Sequence, residues 1–197
     1  MATSIVAIAN LALQKLGQDA IEALDQDDPN ARSMNRIYEP ARDAMLRRYA
    51  WGFSIRRQSI AADGAQTAWG EHNRYSVPND YIRLVRDDES GFRPDWRIES
   101  GDEGEGVFIV SDDDSPLLIR YIAKVEDPNA FDALFVEALA CKMAHDTCKQ
   151  ITGSSDLKER IKEDWDQAIS EAKRAGSIEK ETQDYTENDD SWLNVRM

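Results

Sequence analysis

The chain has 197 residues, a mass of 22.3 kDa and 41% hydrophobic residues, which suffices for one domain with its own core. Its formal net charge of -14 and its pI of about 4.6 argue against a monomer that binds nucleic acid tightly. No apolar run approaches the roughly 20 residues of a membrane span, and the first residues lack the pattern of a secretion signal, so we expect a protein made in the cytoplasm.

Helical periodicity dominates the first part of the chain. Apolar residues recur at steps of three or four in residues 5–16, and Gly17 supplies a stop signal. A second helix is predicted to begin at Pro29, because proline is favoured at the first helical position. An interior proline removes a backbone hydrogen bond, so Pro40 predicts a kink or a break near residues 36–39.

The composition changes at residue 61 to short runs rich in Tyr, Val, Ile, Phe and Trp, separated by turn-forming residues. Such runs are typical of strands, and two acidic turns lie between the later ones, at residues 101–106 and 111–116. The pattern predicts one small antiparallel sheet of about five strands. The candidate strands are residues 74–77, 81–85, 96–100, 107–110 and 117–123.

Helical periodicity returns after Pro128. It predicts a third helix that ends near Gly153 and a fourth that begins among residues 154–156 and ends near Gly176. The predicted fold class is therefore α+β and mainly α, a four-helix body with an inserted antiparallel sheet. The helical body comprises residues 1–60 and 124–176, and the inserted β-rich region comprises residues 61–123.

Residues 177–197 are the third predicted part, an extended C-terminal arm. They are polar and acidic, and they cannot bury enough apolar surface to fold by themselves. A few apolar side chains in such a segment are typical of a peptide that becomes ordered when it docks on a partner. The candidate docking residues are Tyr185, Trp192, Leu193 and Val195.

Residues 36–57 reverse the charge of the chain locally, because they contain six arginines and four aromatic residues. The aromatic residues are predicted to enter the core. The arginines must face acidic surface of the same chain, a neighbouring copy, another protein or nucleic acid. Residues 61–130 carry 16 acidic against 7 basic residues, so in a ring of identical chains the arginines would meet the acidic insert of the next subunit. The candidate subunit-interface residues are Arg36, Arg42, Arg47, Arg48, Arg56 and Arg57.

The only two cysteines, Cys141 and Cys148, share a predicted helix face with His145. Their spacing would suit a zinc site, but the three residues continue an apolar stripe, and the only other histidine is His72. We therefore interpret them as buried structural residues and expect no metal or cofactor. The acidic turns lack the spaced pattern of a calcium loop, which favours solvated turns.

Five motifs of the sequence occur in an order that resembles a known family. They are IANLALQKLG at residues 8–17, YEPARDAMLRRYAWGFSIRR at 38–57, YSVPNDYIRLVR at 75–86, LLIRYIAKVEDPNAFDALFVEALACKMA at 117–144 and ITGSSDLKERI at 151–161. Together they resemble the tail tubular protein A family, the head-to-tail adaptor or gatekeeper proteins of short-tailed bacteriophages. The resemblance covers roughly residues 4–175.

This resemblance implies a dodecameric ring in the neck of a virion, below the portal protein and above the tail nozzle, which is formed by tail tubular protein B. It also implies contact with tail fibres, a C-terminal segment that reaches the portal, and a channel through which DNA passes without sequence-specific binding. An acidic protein around DNA repels the phosphates, which suits a conduit.

Enzymatic activity is not expected, because the sequence has no phosphate-binding glycine loop, no nucleophile elbow and no H-E-x-x-H motif. The alternative from another class is a tail-associated glycan hydrolase that would use two carboxylates of the acidic loops. A pair of carboxylates among 38 acidic residues is a weak signal, so the structural adaptor is the favoured interpretation.

Overall fold

The structure, a computed structural model, describes residues 3–64, 67, 73–85, 96–101 and 106–181. The chain divides into two compact units. The helical unit is the described part of Met1–Met45 and Asp127–Met197, and the sheet unit is the described part of Leu46–Glu126. The predicted class is confirmed: the described chain is mainly α, with an inserted antiparallel β region.

The four predicted helices are present, and their ends follow from the sequence signals. Ser4 caps the first helix, since its Oγ accepts a hydrogen bond from the backbone N–H of Ala7 at 3.0 Å. Gly153 ends the third helix in the left-handed conformation, with φ of 69°, which glycine adopts without a Cβ penalty. The helices are α1 (Ile5–Lys15), α2 (Pro29–Arg48), α3 (Ala133–Thr152) and α4 (Ser155–Glu181).

Helix α2 is continuous through Pro40, so the expected break near residues 36–39 is absent from it. Proline at position 40 leaves the carbonyl of Arg36 without an intrahelical donor. Both residues are exposed, and water can satisfy that carbonyl. The position of Pro40 on the solvent side therefore explains why the helix tolerates it.

Helix α4 continues through Gly176 to Glu181, so the prediction that it ends near Gly176 is wrong. A glycine inside a helix costs about 1 kcal/mol relative to alanine, which weakens a helix without ending it. Residues 177–181 are therefore helical and not part of an extended arm. The rest of the predicted arm, with Tyr185, Trp192, Leu193 and Val195, lies outside the described residues.

The core of the helical unit is built around α3, which packs against α1 and α4. Many of its buried residues are small, and this allows the helix backbones to approach closely. The buried residues of α3 include Phe135, Ala138, Leu139, Ala140, Cys141, Met143, Ala144 and Cys148, and those of α1 include Ile8, Ala9, Ala12 and Leu13. Within the described part of the chain, no helix has both the length and the apolar character that a membrane crossing needs.

The sheet unit contains two three-stranded antiparallel sheets, where the sequence predicted one. Sheet I has the strand order β1-β6-β3, and sheet II has the order β2-β5-β4. The five predicted strands are present, and the first strand is additional. The strands are β1 (Ile55–Ile60), β2 (Asn73–Ser76), β3 (Tyr81–Leu84), β4 (Trp96–Ser100), β5 (Val107–Ser111) and β6 (Leu117–Ala123).

Strand β1 was assigned by the sequence to the helical body, because its residues IRRQSI lack the apolar alternation of a strand. It forms because it pairs along its whole length with β6, from Ile55 opposite Ile122 to Ile60 opposite Leu117. Backbone pairing of an edge strand needs few apolar side chains. The sheet unit consequently begins at Leu46 and ends at Glu126, whereas the sequence placed the insert at residues 61–123.

One apolar cluster joins the inner faces of the two sheets. Tyr75 of β2 and Ile109 of β5 are fully buried in it, together with residues of β1, β3 and β6. Successive side chains of a strand point to opposite faces. On β6, Leu117, Ile119, Tyr121 and Ala123 therefore face this cluster, and Leu118, Arg120 and Ile122 lie on the outer face of sheet I.

Candidate interaction surface

The aromatic residues of the arginine-rich segment belong largely to the interior. Tyr38 and Trp51 are 3% and 4% exposed, as the sequence predicted for residues that enter the core. Tyr49 and Phe53 are half-buried. The ring of Trp51 meets Tyr49 edge to face at 5.2 Å between centroids and stacks on Phe53 at 6.4 Å. Stacking of these rings on one another leaves fewer of them available for nucleic-acid bases.

Arg42 is an interior residue of the helical unit, with only 3% of its surface exposed. Its Nε donates to the carboxylate of Asp43 at 2.8 Å, and its guanidinium carbon lies 5.7 Å from the centroid of the Tyr38 ring. Burial lowers the pKa of Arg42, but its hydrogen bond to Asp43 and the nearby negative charges raise that pKa above the ordinary value. Little of this side chain remains for contact with another subunit.

Arg36 is exposed on α2 and borders a cleft of about 250 Å³. Its side chain has no hydrogen bond or ion pair to any described residue. The cleft is polar, and inside it the amide of Gln150 approaches the Ser33 hydroxyl at 3.4 Å. Its lining residues are Pro29, Asn30, Arg32, Ser33, Arg36, Gln150 and Ile151.

Arg47 and Arg83 lie side by side in the sheet unit, and both use backbone carbonyls as acceptors. The Nη1 atom of Arg47 donates to the carbonyl of Ile82 at 2.8 Å, and the Nε of Arg83 donates to the carbonyl of Arg47 at 2.8 Å. Burial lowers the pKa of Arg83, and the neighbouring positive charge of Arg47 lowers it further. Arg48, at the end of α2, is exposed. Arg47 therefore has a structural role within its own chain.

Arg56 has an acidic partner within the sheet unit, since it forms an ion pair with Asp80. The other carboxylate oxygen of Asp80 accepts a hydrogen bond from the hydroxyl of Tyr121 at 3.0 Å. Burial raises the pKa of Tyr121, and the hydrogen bond and charge of Asp80 raise it further. This arginine thus meets acidic surface of the same chain.

Arg57 differs from the other arginines of the segment because it lies on the outer face of sheet I, directly opposite Arg120 of β6. Its side chain is exposed and has no ion pair or hydrogen bond to any residue that the structure describes. Two residues away on β6, Leu118 is 75% exposed. We call Arg57, Ser59, Leu118 and Arg120 the basic face; Ser59 is the cross-strand neighbour of Leu118.

Sequence reasoning missed two arginines: Arg83, which lies beside Arg47, and Arg120, which lies opposite Arg57. Alternation in LLIRYIA does place Arg120 on the face opposite the core residues Ile119 and Tyr121. That signal was available in the sequence. The pairing of β1 with β6, which brings Arg57 beside Arg120, was not, because strand neighbours depend on the tertiary fold.

An acidic loop, residues 112–114, follows β5 and is held in a defined shape. The backbone carbonyl of Asp113 accepts hydrogen bonds from the hydroxyl of Tyr75 at 2.7 Å and from the side-chain amide of Asn73 at 3.1 Å. The carboxylate of Asp113 accepts from the Ser111 hydroxyl at 3.1 Å. Asp112 and Asp114 are exposed, so the loop presents negative charge to the solvent.

The cysteine and histidine cluster of α3 is packed as a structural element. Cys141 and Cys148 are buried, and His145 stacks on Trp165 with ring centroids 5.8 Å apart. The Nδ1 atom of His145 lies 3.0 Å from the carboxylate of Asp146. Burial raises the pKa of the Cys141 thiol. Among the described residues, no three or more His, Cys, Asp or Glu side chains are placed to hold a metal ion, and His72 lies outside that part.

Comparison of the chain with models of protein families and with curated proteins gives no match.

Proposed function

We propose that this protein is a non-enzymatic structural adaptor that assembles with copies of itself into a ring between the portal and the tail nozzle of a short-tailed phage. The observation that carries the proposal is the separation of charge on the sheet unit. A basic face with exposed Arg57 and an acidic loop with exposed Asp112 and Asp114 lie on one small unit of a chain whose net charge is -14. Identical chains that carry both signs of charge on separate surfaces can associate head to tail, and such contacts form a ring when the rotation between neighbours closes.

Two further features support the adaptor. Two carboxylates near the sheets make structural contacts: Asp80 binds Arg56, and Asp63 pairs with Arg74 at 2.8 Å. The aromatic residues that would stack on nucleic-acid bases pack on one another around Trp51. We therefore propose that the ring surrounds the DNA.

The size of the assembly tests this proposal. The purified full chain should form a closed ring of about twelve copies, alone or when a portal protein of a short-tailed phage is added, the number that the family resemblance implies. Light scattering gives the mass, and electron microscopy along the axis gives the subunit count. A chain that stays monomeric under both conditions, or that hydrolyses a glycan of the host surface, contradicts the adaptor.

The segment after α4 is proposed to contact the portal, through Tyr185, Trp192, Leu193 and Val195. We expect that removal of residues 182–197 leaves the unfolding midpoint unchanged, because this polar, acidic segment has too little apolar surface to contribute to a core. The same truncation should weaken portal binding at least tenfold, about the effect of losing a single anchor. The matched control is Trp192→Ala with Leu193→Ala, which keeps the charge of the segment. Unchanged portal affinity of the truncated chain would remove the docking arm from the proposal.

A further inference from the structure

The cleft beside Arg36 combines positive charge with donors of hydrogen bonds. It belongs to the helical unit, and it is lined by the first two turns of α2 and the last turn of α3. Among the lining residues that the structure describes, Arg32 and Arg36 are cationic and none is acidic. The chain as a whole has 38 acidic against 24 basic residues, so this local composition favours an anionic occupant.

Both arginines lie where a helix disfavours positive charge. Arg32 is in the first turn of α2 and Arg36 is in the second, near the positive end of the helix dipole. They are also four residues apart, a spacing at which like charges on a helix repel each other. Asp28 compensates part of this charge, because its carboxylate accepts a hydrogen bond from the backbone N–H of Asn30 at 2.7 Å. An anion between the two guanidinium groups would relieve the rest.

The described contacts of the two arginines leave their guanidinium groups available to a ligand. Arg32 pairs with Asp27, whose side chain is 99% exposed, and ion pairs so open to solvent are weak. The side chain of Arg36 has no hydrogen bond or ion pair to any described residue. The side-chain amide of Asn30 also makes none with the described part of the chain. The cleft therefore offers several donors to an acceptor, which is the chemistry of a carboxylate or phosphate site.

The sequence of the C-terminal arm contains a segment of matching charge. Residues 184–190, DYTENDD, carry four carboxylates and no basic residue, and we call them the acidic segment. The segment lies outside the described residues. Its composition is typical of a peptide that becomes ordered on a partner, and a cationic cleft supplies the charge that such a partner needs.

The reach of the arm determines which copy of the chain supplies the acidic segment. The cleft lies beside the turn between α3 and α4, whereas the arm departs from Glu181 at the far end of α4. Helix α4 has 27 residues and is therefore about 40 Å long. The acidic segment ends nine residues after Glu181, and nine fully extended residues span at most about 32 Å. The segment of a chain thus falls short of its own cleft, and a second copy must supply it.

We propose that the cleft of one copy binds the acidic segment of a second copy, with Arg32 and Arg36 around its carboxylates. The inference rests on the proposed function, because it assumes that copies assemble, and it adds a contact of the helical unit to the assembly. In a ring, each copy gives its segment to one neighbour and its cleft to the other, and residues from Trp192 onward stay available to the portal. A nucleic acid is the less suitable occupant, since its phosphates would approach a chain of net charge -14.

Charge reversal on each side tests the contact. The cleft variant is Arg32→Glu with Arg36→Glu, and the arm variant is Asp189→Lys with Asp190→Lys. Each should weaken self-association of the full chain about tenfold, because each places like charges together. An equal mixture of the two variants should recover most of the lost affinity, since the altered cleft of one then meets the altered segment of the other. Sedimentation equilibrium measures the association, alone and in the presence of a portal protein.

Two pairs of substitutions on α4 are matched controls, because they make the same charge changes at exposed positions of the same unit. They are Arg160→Glu with Lys162→Glu and Glu159→Lys with Glu163→Lys, and both should leave association unchanged. The cleft variant should fold at least as well as the unmodified chain, since acidic residues are favoured near the beginning of a helix. Circular dichroism and urea unfolding check the folding of every variant.

Four other outcomes overturn the inference. If the cleft and arm variants assemble like the unmodified chain, the ring of the proposed function stands but uses other surfaces. If both weaken assembly and the mixture does not recover, the cleft and the acidic segment have different partners. If the cleft variant loses affinity for a DNA duplex and keeps its self-association, the cleft is a phosphate site. If the unmodified chain fails to assemble even with a portal protein, the proposed function fails as well.

Discussion

Arg42 and Arg57 belong to the same arginine-rich segment, yet the fold places them in opposite environments. Arg42 is 3% exposed in the helical unit, where Asp43 and the ring of Tyr38 surround its guanidinium group. Arg57 is exposed in the sheet unit, opposite another arginine. The comparison teaches that a run of like charges in a sequence need not form one surface, because each element divides it by its own periodicity.

The two environments predict different consequences for the same substitution. We expect Arg42→Glu to lower the free energy of unfolding by about 4 kcal/mol or more, since it would bury a carboxylate next to Asp43 without a cation. Arg57→Glu should change the free energy of unfolding by no more than about 0.5 kcal/mol, or increase it slightly by removing a repulsion. Urea unfolding followed by circular dichroism measures both. Equal losses in the two variants would mean that Arg57 is as enclosed as Arg42.

The two units can also be compared at alkaline pH, where tyrosines ionise. One of the two tyrosines concerned lies near an arginine, and the other lies near an aspartate. Burial raises the pKa of Tyr38, although the charge of Arg42 lowers it, and burial together with Asp80 raises the pKa of Tyr121. Because the pKa of each tyrosine is higher in the folded state, the unfolded state loses its protons first as the pH rises through 10. The contribution of these two tyrosines to the free energy of unfolding is therefore fully present below pH 10, and it decreases as the pH rises above 10.

Urea unfolding at pH 8 and at several values above pH 10 measures this loss, and absorbance of the phenolate reports the ionisation. Tyr38→Phe and Tyr121→Phe should each flatten the dependence on pH, because each removes one group whose pKa differs between the folded and unfolded states. A stability that does not change above pH 10 would contradict the burial of these hydroxyl groups.

The smallest expected effect concerns Arg56, whose side chain is 54% exposed. Its ion pair with Asp80 is accessible to solvent, so we expect Arg56→Ala to cost about 0.5 kcal/mol, with less loss at high salt. The same substitution should raise the pKa of Tyr121 further, because Arg56 lowers that pKa. Titration of phenolate absorbance in Arg56→Ala and in Arg56→Ala with Tyr121→Phe isolates the shift. A lower pKa in the single variant would contradict the contact.

Local signals in the sequence predicted much of the fold. The caps at Ser4 and Gly153 and the alternation in β6 were readable, because capping and strand alternation depend only on neighbouring residues. The end of α4 was missed, since a glycine weakens a helix by about 1 kcal/mol relative to alanine without ending it. Strand β1 was missed because its residues carry little apolar alternation of their own.

The candidate surface was predicted only in outline. The sequence identified the six arginines but treated them as one group, whereas the structure places Arg42 in the interior, gives Arg56 an acidic partner and exposes Arg57. The order of strands in a sheet is set by contacts between residues far apart in the chain, which local pattern cannot encode.

The sequence by itself determined the mainly helical class with its β insertion, the acidic charge and the identity of the basic segment. These properties follow from composition and from periodicities of a few residues. Only the tertiary structure decided that β1 lies beside β6, and so that Arg57 lies opposite Arg120 with Leu118 exposed beside them. The physical reason is that cross-strand register, not position along the chain, determines which side chains share a face.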